Sequence, residues 1–214
     1  MILNKFFALI LIVNTSSLIS QSGYEVKMHD AEQKFAKAKT LEDYNVVSNL
    51  YYEIANSQKN NWLPFYYAGL CKTLAAIKLK TKSADALCNE ADFFIHKSDS
   101  LSKNNVEVYV LKSLNFSARL NVNPTARALK YNKQINQANA VAMKLDQENP
   151  RVYLQKAQSV YYTPESFGGG PKKALPLYEN ALEKYKLFKP QNNLMPNWGK
   201  DIAVKMIEEC KLKL

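Results

Sequence analysis

Residue types able to do chemistry are sparse in this chain of 214 residues. The two histidines, His29 and His96, lie in different predicted helical pairs and neither has a companion at metal-ligand spacing. Each reads as a surface or half-buried side chain, and no metal site is expected. No H-E-x-x-H, G-x-S-x-G or Cys-x-x-Cys occurs, so an enzyme would have to gather its groups from distant parts of the chain. Cys71 and Cys88 stand 17 residues apart on the two helices of one predicted hairpin, and an oxidising compartment would allow a disulfide between them. Against that, Cys88 is spaced like a core residue, where Cys serves as a small hydrophobe. Cys210 has no evident mate. The most distinctive stretch is Phe167-Gly168-Gly169-Gly170-Pro171-Lys172-Lys173, which holds half of the six glycines. Three glycines ahead of a helix start with two lysines could cradle an anion on backbone amides. The same glycines could equally serve an ordered turn, with Pro171 opening the helix.

The elements that must position these residues are helices. From Tyr24 onward apolar residues recur at three and four. Val46, Leu50 and Ile54 form one stripe with Val47 and Tyr51 beside it, and Ala174, Leu177, Tyr178, Ala181, Leu182 and Tyr185 form another. Breakers fall between such stretches, at Asn60-Asn61, Asn104-Asn105, Asn123-Pro124, Asn149-Pro150, Thr163-Pro164 and Lys189-Pro190. The pattern predicts helices near 24–39, 41–58, 62–80, 82–100, 105–121, 125–146, 150–162, 171–188 and 199–213, and no sheet. Few Gly and Pro (6 and 8) argue against an all-β chain, and a 47% hydrophobic content argues against disorder.

Within these helices a spacing repeats. Ala174, Tyr178, Ala181 is matched by Ser48, Tyr52, Ala55 and by Ala84, Cys88, Ala91, and more loosely by Ile135, Asn139, Ala142. The preceding helix of each pair places an aromatic four residues before a small one: Phe65 and Gly69, Tyr109 and Ser113, Tyr153 and Ala157. Small side chains let antiparallel helices approach, and the aromatic fills the gap to the next pair. The pattern resembles the tetratricopeptide repeat family, although Ala36, Gly69, Ser113 and Ala157 are 33, 44 and 44 residues apart and the family repeats at 34. The resemblance implies an all-α, right-handed α-solenoid of about four antiparallel helix pairs over residues 21–214, closed by a C-terminal capping helix. It also implies a concave face that binds a peptide or partner protein. Phe65, Tyr66, Tyr109, Lys112, Tyr153 and Lys156 would line it, with Phe167, Gly168, Gly169, Gly170, Lys172 and Lys173 as a contacting loop.

Residues 1–20 have a secretory layout: Lys5, an apolar run from Phe6 to Val13, then Asn14-Thr15-Ser16-Ser17. Cleavage after Ser20 would release an exported chain, periplasmic or secreted, with no remaining stretch able to span a membrane. The net charge of +10 is uneven: residues 21–100 balance, and residues 101–214 carry +9. An acidic partner would suit the basic half, and only three Arg argues against nucleic acid. The expectation is a non-catalytic binding or scaffolding module of an exported bacterial protein, without cofactor, monomeric or weakly oligomeric. A periplasmic small-molecule or lipid binder with a cavity between helices is the alternative, followed by an enzyme assembled from several repeats.

Overall fold

The computed structural model describes residues 23–79 and 81–214, so the expected leader lies outside the described residues. The helices are α1 (23–37), α2 (Leu41–Ser57), α3 (Trp62–Leu79), α4 (Ala84–Leu101), α5 (Val106–Val122), α6 (Pro124–Leu145), α7 (Pro150–Tyr162), α8 (Pro171–Leu187) and α9 (Lys200–Leu212). A 3-10 turn spans Glu165–Phe167, and no strand occurs among the described residues. The expected helices are found with their ends shifted by at most two residues.

Local chemistry explains where the helices start. Thr40 and Asp43 form a capping box on α2. Asn61, Asn105 and Asn149 each accept a hydrogen bond from the backbone two residues on, at Leu63, Glu107 and Arg151 (3.1, 2.9 and 3.0 Å). Pro124, Pro150 and Pro171 occupy first-turn positions where no amide proton is needed. The three Asn caps are spaced by 44 residues, so α3, α5 and α7 present equivalent ends.

Packing follows chain order. α3 lies against α2 and α4, α5 against α4 and α6, and α7 against α8, with α9 closing on α8. α3, α5 and α7 also touch one another in sequence, giving an inner row backed by the even-numbered helices. Small residues permit this: Ala55, Ala84, Cys88, Ala91, Ala174 and Ala181 are fully buried. A Cβ on Gly69 would come within 3.3 Å of Ile95 and Phe94, which marks how closely α3 meets α4. On α2 the buried stripe runs through Val47, Tyr51 and Ile54, while Val46 faces outward; the expected stripe was rotated by one residue. Cys71 and Cys88 are both free thiols and sit in different core clusters, Cys71 on α3 near Tyr44 and Tyr51 of α2, Cys88 on α4 among Ala75, Ala76, Ala84 and Ala118. The possible disulfide is not formed here, and Cys88 takes the core role its spacing suggests.

Residues 188–199, between α8 and α9, run back across the inner row as a strap. Tyr67 Oη donates to the Leu194 carbonyl (2.9 Å), and Trp198 Nε1 donates to Tyr66 Oη (2.8 Å). Trp198 packs against three of the four core clusters at once.

Candidate functional site

The strap and the inner row border a half-open cleft of about 940 Å³. Its walls come from Tyr24, Glu25 and His29 of α1, Trp62 and Leu63 at the start of α3, and Val106 and Glu107 at the start of α5. Leu145 closes the far side, and the strap contributes Phe188, Lys189, Pro190, Leu194, Met195 and Pro196. Because α3, α5 and α7 are capped in equivalent ways, their N-terminal ends and the Asn caps Asn61, Asn105 and Asn149 all face this space. The volume is that of a small-molecule site, and its lining is mixed: Tyr24, Trp62, Leu63, Phe188, Leu194 and Met195 stand among a larger set of Asn, Gln, Ser and acidic side chains.

The strap is held at a fixed height by a buried ion pair. Arg151 is fully buried, its Nε donating to Glu107 Oε2 (2.7 Å) and its Nη2 to Oε1, while Asn149 Nδ2 donates to the same Oε1 (2.6 Å). Burial works against the Arg151 charge, but the attraction of Glu107 and its hydrogen bonds outweigh it and raise the guanidinium above its ordinary value. The guanidinium lies under the Phe188 ring, 4.7 Å from its centroid, and 5.9 Å from that of Trp198. One contact set thus ties the starts of α5 and α7 to both ends of the strap. Asn192 turns the strap, its side chain accepting from the Leu194 amide (3.0 Å). At the far end Gly199 has φ +107°, and an added Cβ there would collide with Tyr185 Oη and Leu154. Tyr185 Oη also donates to the Trp198 carbonyl (3.1 Å).

None of the six residues expected on a concave face lines the cleft. Phe65 and Tyr66 are core: Phe65 packs against Tyr52 of α2, 6.5 Å between centroids, and the strap covers Tyr66. Burial raises the Tyr66 hydroxyl well above its ordinary pKa, and it serves Trp198 as acceptor. Tyr109 and Lys112 are half-buried together, the ammonium 4.3 Å from the ring and 3.2 Å from Asp99. Tyr153 donates to the Gln147 carbonyl (2.8 Å), and Lys156 is exposed. The structure does not bring these six together as a groove.

The glycines of the loop serve the turn: the amides of Phe167, Gly168, Gly169 and Gly170 donate to the Pro164, Glu165, Pro164 and Val160 carbonyls, while the first turn of α8 at Lys172 and Lys173 carries no side-chain cap. A Cβ on Gly169 would strike the Thr163 and Val160 carbonyls, so the tight turn itself explains that glycine. Phe167, Lys172 and Lys173 remain exposed on it.

His29, Trp62 and the strap residues are what spacing arguments missed. The available signal was the apolar set Leu194, Met195, Pro196 and Trp198 inside a stretch with no helical period. His29 sits half-exposed on the cleft wall with Nδ1 3.4 Å from Glu32. His29 and Met195 are the lining side chains with soft or borderline metal-ligand chemistry. No cluster of three or more His, Cys, Asp or Glu suited to a metal ion exists among the described residues.

No family model and no curated protein matches the chain. Among solved structures it is similar to the HusA haemophore from Porphyromonas gingivalis, with a TM-score of 0.78 and 32% sequence identity, over 88% of this chain and 92% of that one. Similarity of sequence and fold over nearly the full length of both means that the chain belongs to the same family as the HusA haemophore.

Proposed function

We propose that the protein is an exported haem-binding protein that holds its cargo in the cleft beneath the strap, without catalysis. The observation that carries this reading is the coincidence of two facts: kinship to a haemophore, and a cleft of about 940 Å³ with Trp62, Leu63, Phe188, Leu194 and Met195 on its walls. A tetrapyrrole is a large, flat, apolar disc with two carboxylates on one edge. Its faces would lie against the aromatic and aliphatic walls, and Lys189 at the rim would meet the carboxylates. Kinship favours a small-molecule binder over a scaffold for a protein partner, and so does the strap. It already occupies the inner surface on which a peptide was expected to lie. The two-row arrangement of paired helices supports reading the fold as a solenoid of the tetratricopeptide kind, with the strap laid along its inner side. Export is supported by the leader-like composition of residues 1–20 and by the same kinship. No described helix is long and apolar enough to cross a membrane.

The test is an absorbance titration of residues 21–214 with haem. A saturable change in the haem spectrum at one equivalent is expected. Trp62→Ala removes a large apolar contact and should weaken binding about tenfold or more. Phe93→Ala, exposed and outside the cleft, should leave binding unchanged. A titration without saturation would end the haem reading, and equal effects of the two substitutions would move the site elsewhere.

A further inference from the structure

We propose that the end of the molecule where α7 and α9 finish and α8 begins docks onto an anionic lipid surface. Three large apolar side chains stand out there on separate elements: Tyr162 at the end of α7, Phe167 on the turn that follows, and Leu212 in the last turn of α9. They are 67%, 81% and 87% exposed. The two C-terminal ends are neighbours, because Tyr161 Oη meets both Glu209 of α9 and Lys213 just after it. α8 starts beside them, since the Gly170 amide donates to the Val160 carbonyl (3.0 Å).

Phe167 is not exposed through looseness. Its amide donates to Pro164 (2.9 Å), the next three residues are locked by the turn, and Thr163 Oγ1 is tied to Ser159. The fold therefore fixes the backbone from which this aromatic ring projects into solvent, a cost with no return inside the monomer. Around it stand Lys172 and Lys173, which form no ion pair among the described residues. Lys211 is loosely placed 3.8 Å from Glu179. Lys213 is partly matched by Glu209, and Glu165 is the other acid of this turn.

Aromatic and aliphatic tips set among lysines are the composition of a surface that sits in lipid headgroups. Separate tips on three elements also favour a fluid interface over a protein partner, which would need a matching rigid surface. Anionic headgroups answer the lysines. These residues lie apart from the cleft, so the proposal stands or falls independently of haem binding.

The experiment is co-sedimentation of residues 21–214, which contain every described helix, with phosphatidylcholine vesicles with and without phosphatidylglycerol. The protein should pellet with the anionic vesicles, less so at high salt, and stay in solution with the neutral ones. The doubly substituted Tyr162→Ser, Phe167→Ser chain and the Lys172→Glu, Lys173→Glu chain should each partition at least about tenfold less. Phe167, Lys172 and Lys173 are exposed, and Tyr162 packs only edge-on against Tyr161, 5.0 Å between centroids. The haem titration should therefore be unchanged in both and the melting temperature should fall only slightly in the first, which separates this result from misfolding and from the cleft. Absence of pelleting with anionic vesicles, or unaltered pelleting of the Tyr162, Phe167 variant, would overturn the proposal.

Discussion

Arg151 shows how far single residues carry the site. A buried guanidinium is tolerated here because Glu107, itself held by Asn149, pairs with its Nε and Nη2, and two aromatic rings lie beside it. Glu107→Gln should cost about 3–5 kcal/mol in urea unfolding, since it strands the charge. Glu107→Leu with Arg151→Met removes both charges and should cost much less, which a double-mutant cycle would resolve. Gly199 is a steric rather than an electrostatic case. Gly199→Ala combines a left-handed backbone with a collision against Tyr185 and Leu154, and should destabilise by about 2–4 kcal/mol. The cysteines give a chemical readout. Burial raises Cys88 to about 11 and pushes Cys71 higher, so both thiols should resist alkylation in the native protein. Unfolding without reductant should expose three titratable thiols, and one would mean that the disulfide exists after all.

At the scale of elements, the strap joins what the helix pairs leave separate. Trp198 is shared by three clusters, and Trp198→Ala should cost about 3 kcal/mol and open the cleft. Trp198→Phe keeps most of the packing and loses only the bond to Tyr66, about 1 kcal/mol, so packing is the larger part of its role. The α4–α6 contact carries a pH signature. Asp85 is held below the usual carboxylate range by hydrogen bonds from Arg127, with burial opposing and the Arg127 and Arg119 charges assisting. A depressed folded-state pKa means this contribution is complete above the unfolded value near pH ~3.9 and is lost as pH falls below it. The pair is partly exposed, so Asp85→Asn should remove less than about 1 kcal/mol at neutral pH, and progressively less as pH falls below ~3.9. The helices were legible because their periods, Asn caps and first-turn prolines are local. The strap was not, since nothing local in Lys189 to Gly199 says that its partners are Tyr66, Tyr67 and Arg151, some 40 to 130 residues away. The same gap explains the misplaced concave face: Tyr66 has the composition of a binding residue, and only the returning strap makes it core.

For the whole molecule, the cleft is a joint product of distant pieces, and that makes its occupancy visible in global stability. α1, the starts of α3 and α5, the end of α6 and the strap each supply a wall, so unfolding any of them destroys the site. A ligand that binds only this assembled form stabilises the protein by RT ln(1 + [L]/Kd), about 2.7 kcal/mol at a hundredfold excess over Kd. In a chain of this length that corresponds to a rise in Tm of about 5–10 °C. Trp62 packs edge-on against Tyr66, 5.8 Å between centroids, and also faces the cleft, so its loss lowers both baseline stability and affinity. The two effects separate because each variant is compared with its own ligand-free melt. A tenfold weaker site at the same haem concentration retains about 1.4 kcal/mol of linkage, so the Trp62→Ala rise should be about half that of the parent. If the parent melts at the same temperature with and without haem, the cargo assignment is wrong. A full-sized rise in Trp62→Ala would place the cargo on a surface other than the one the strap borders.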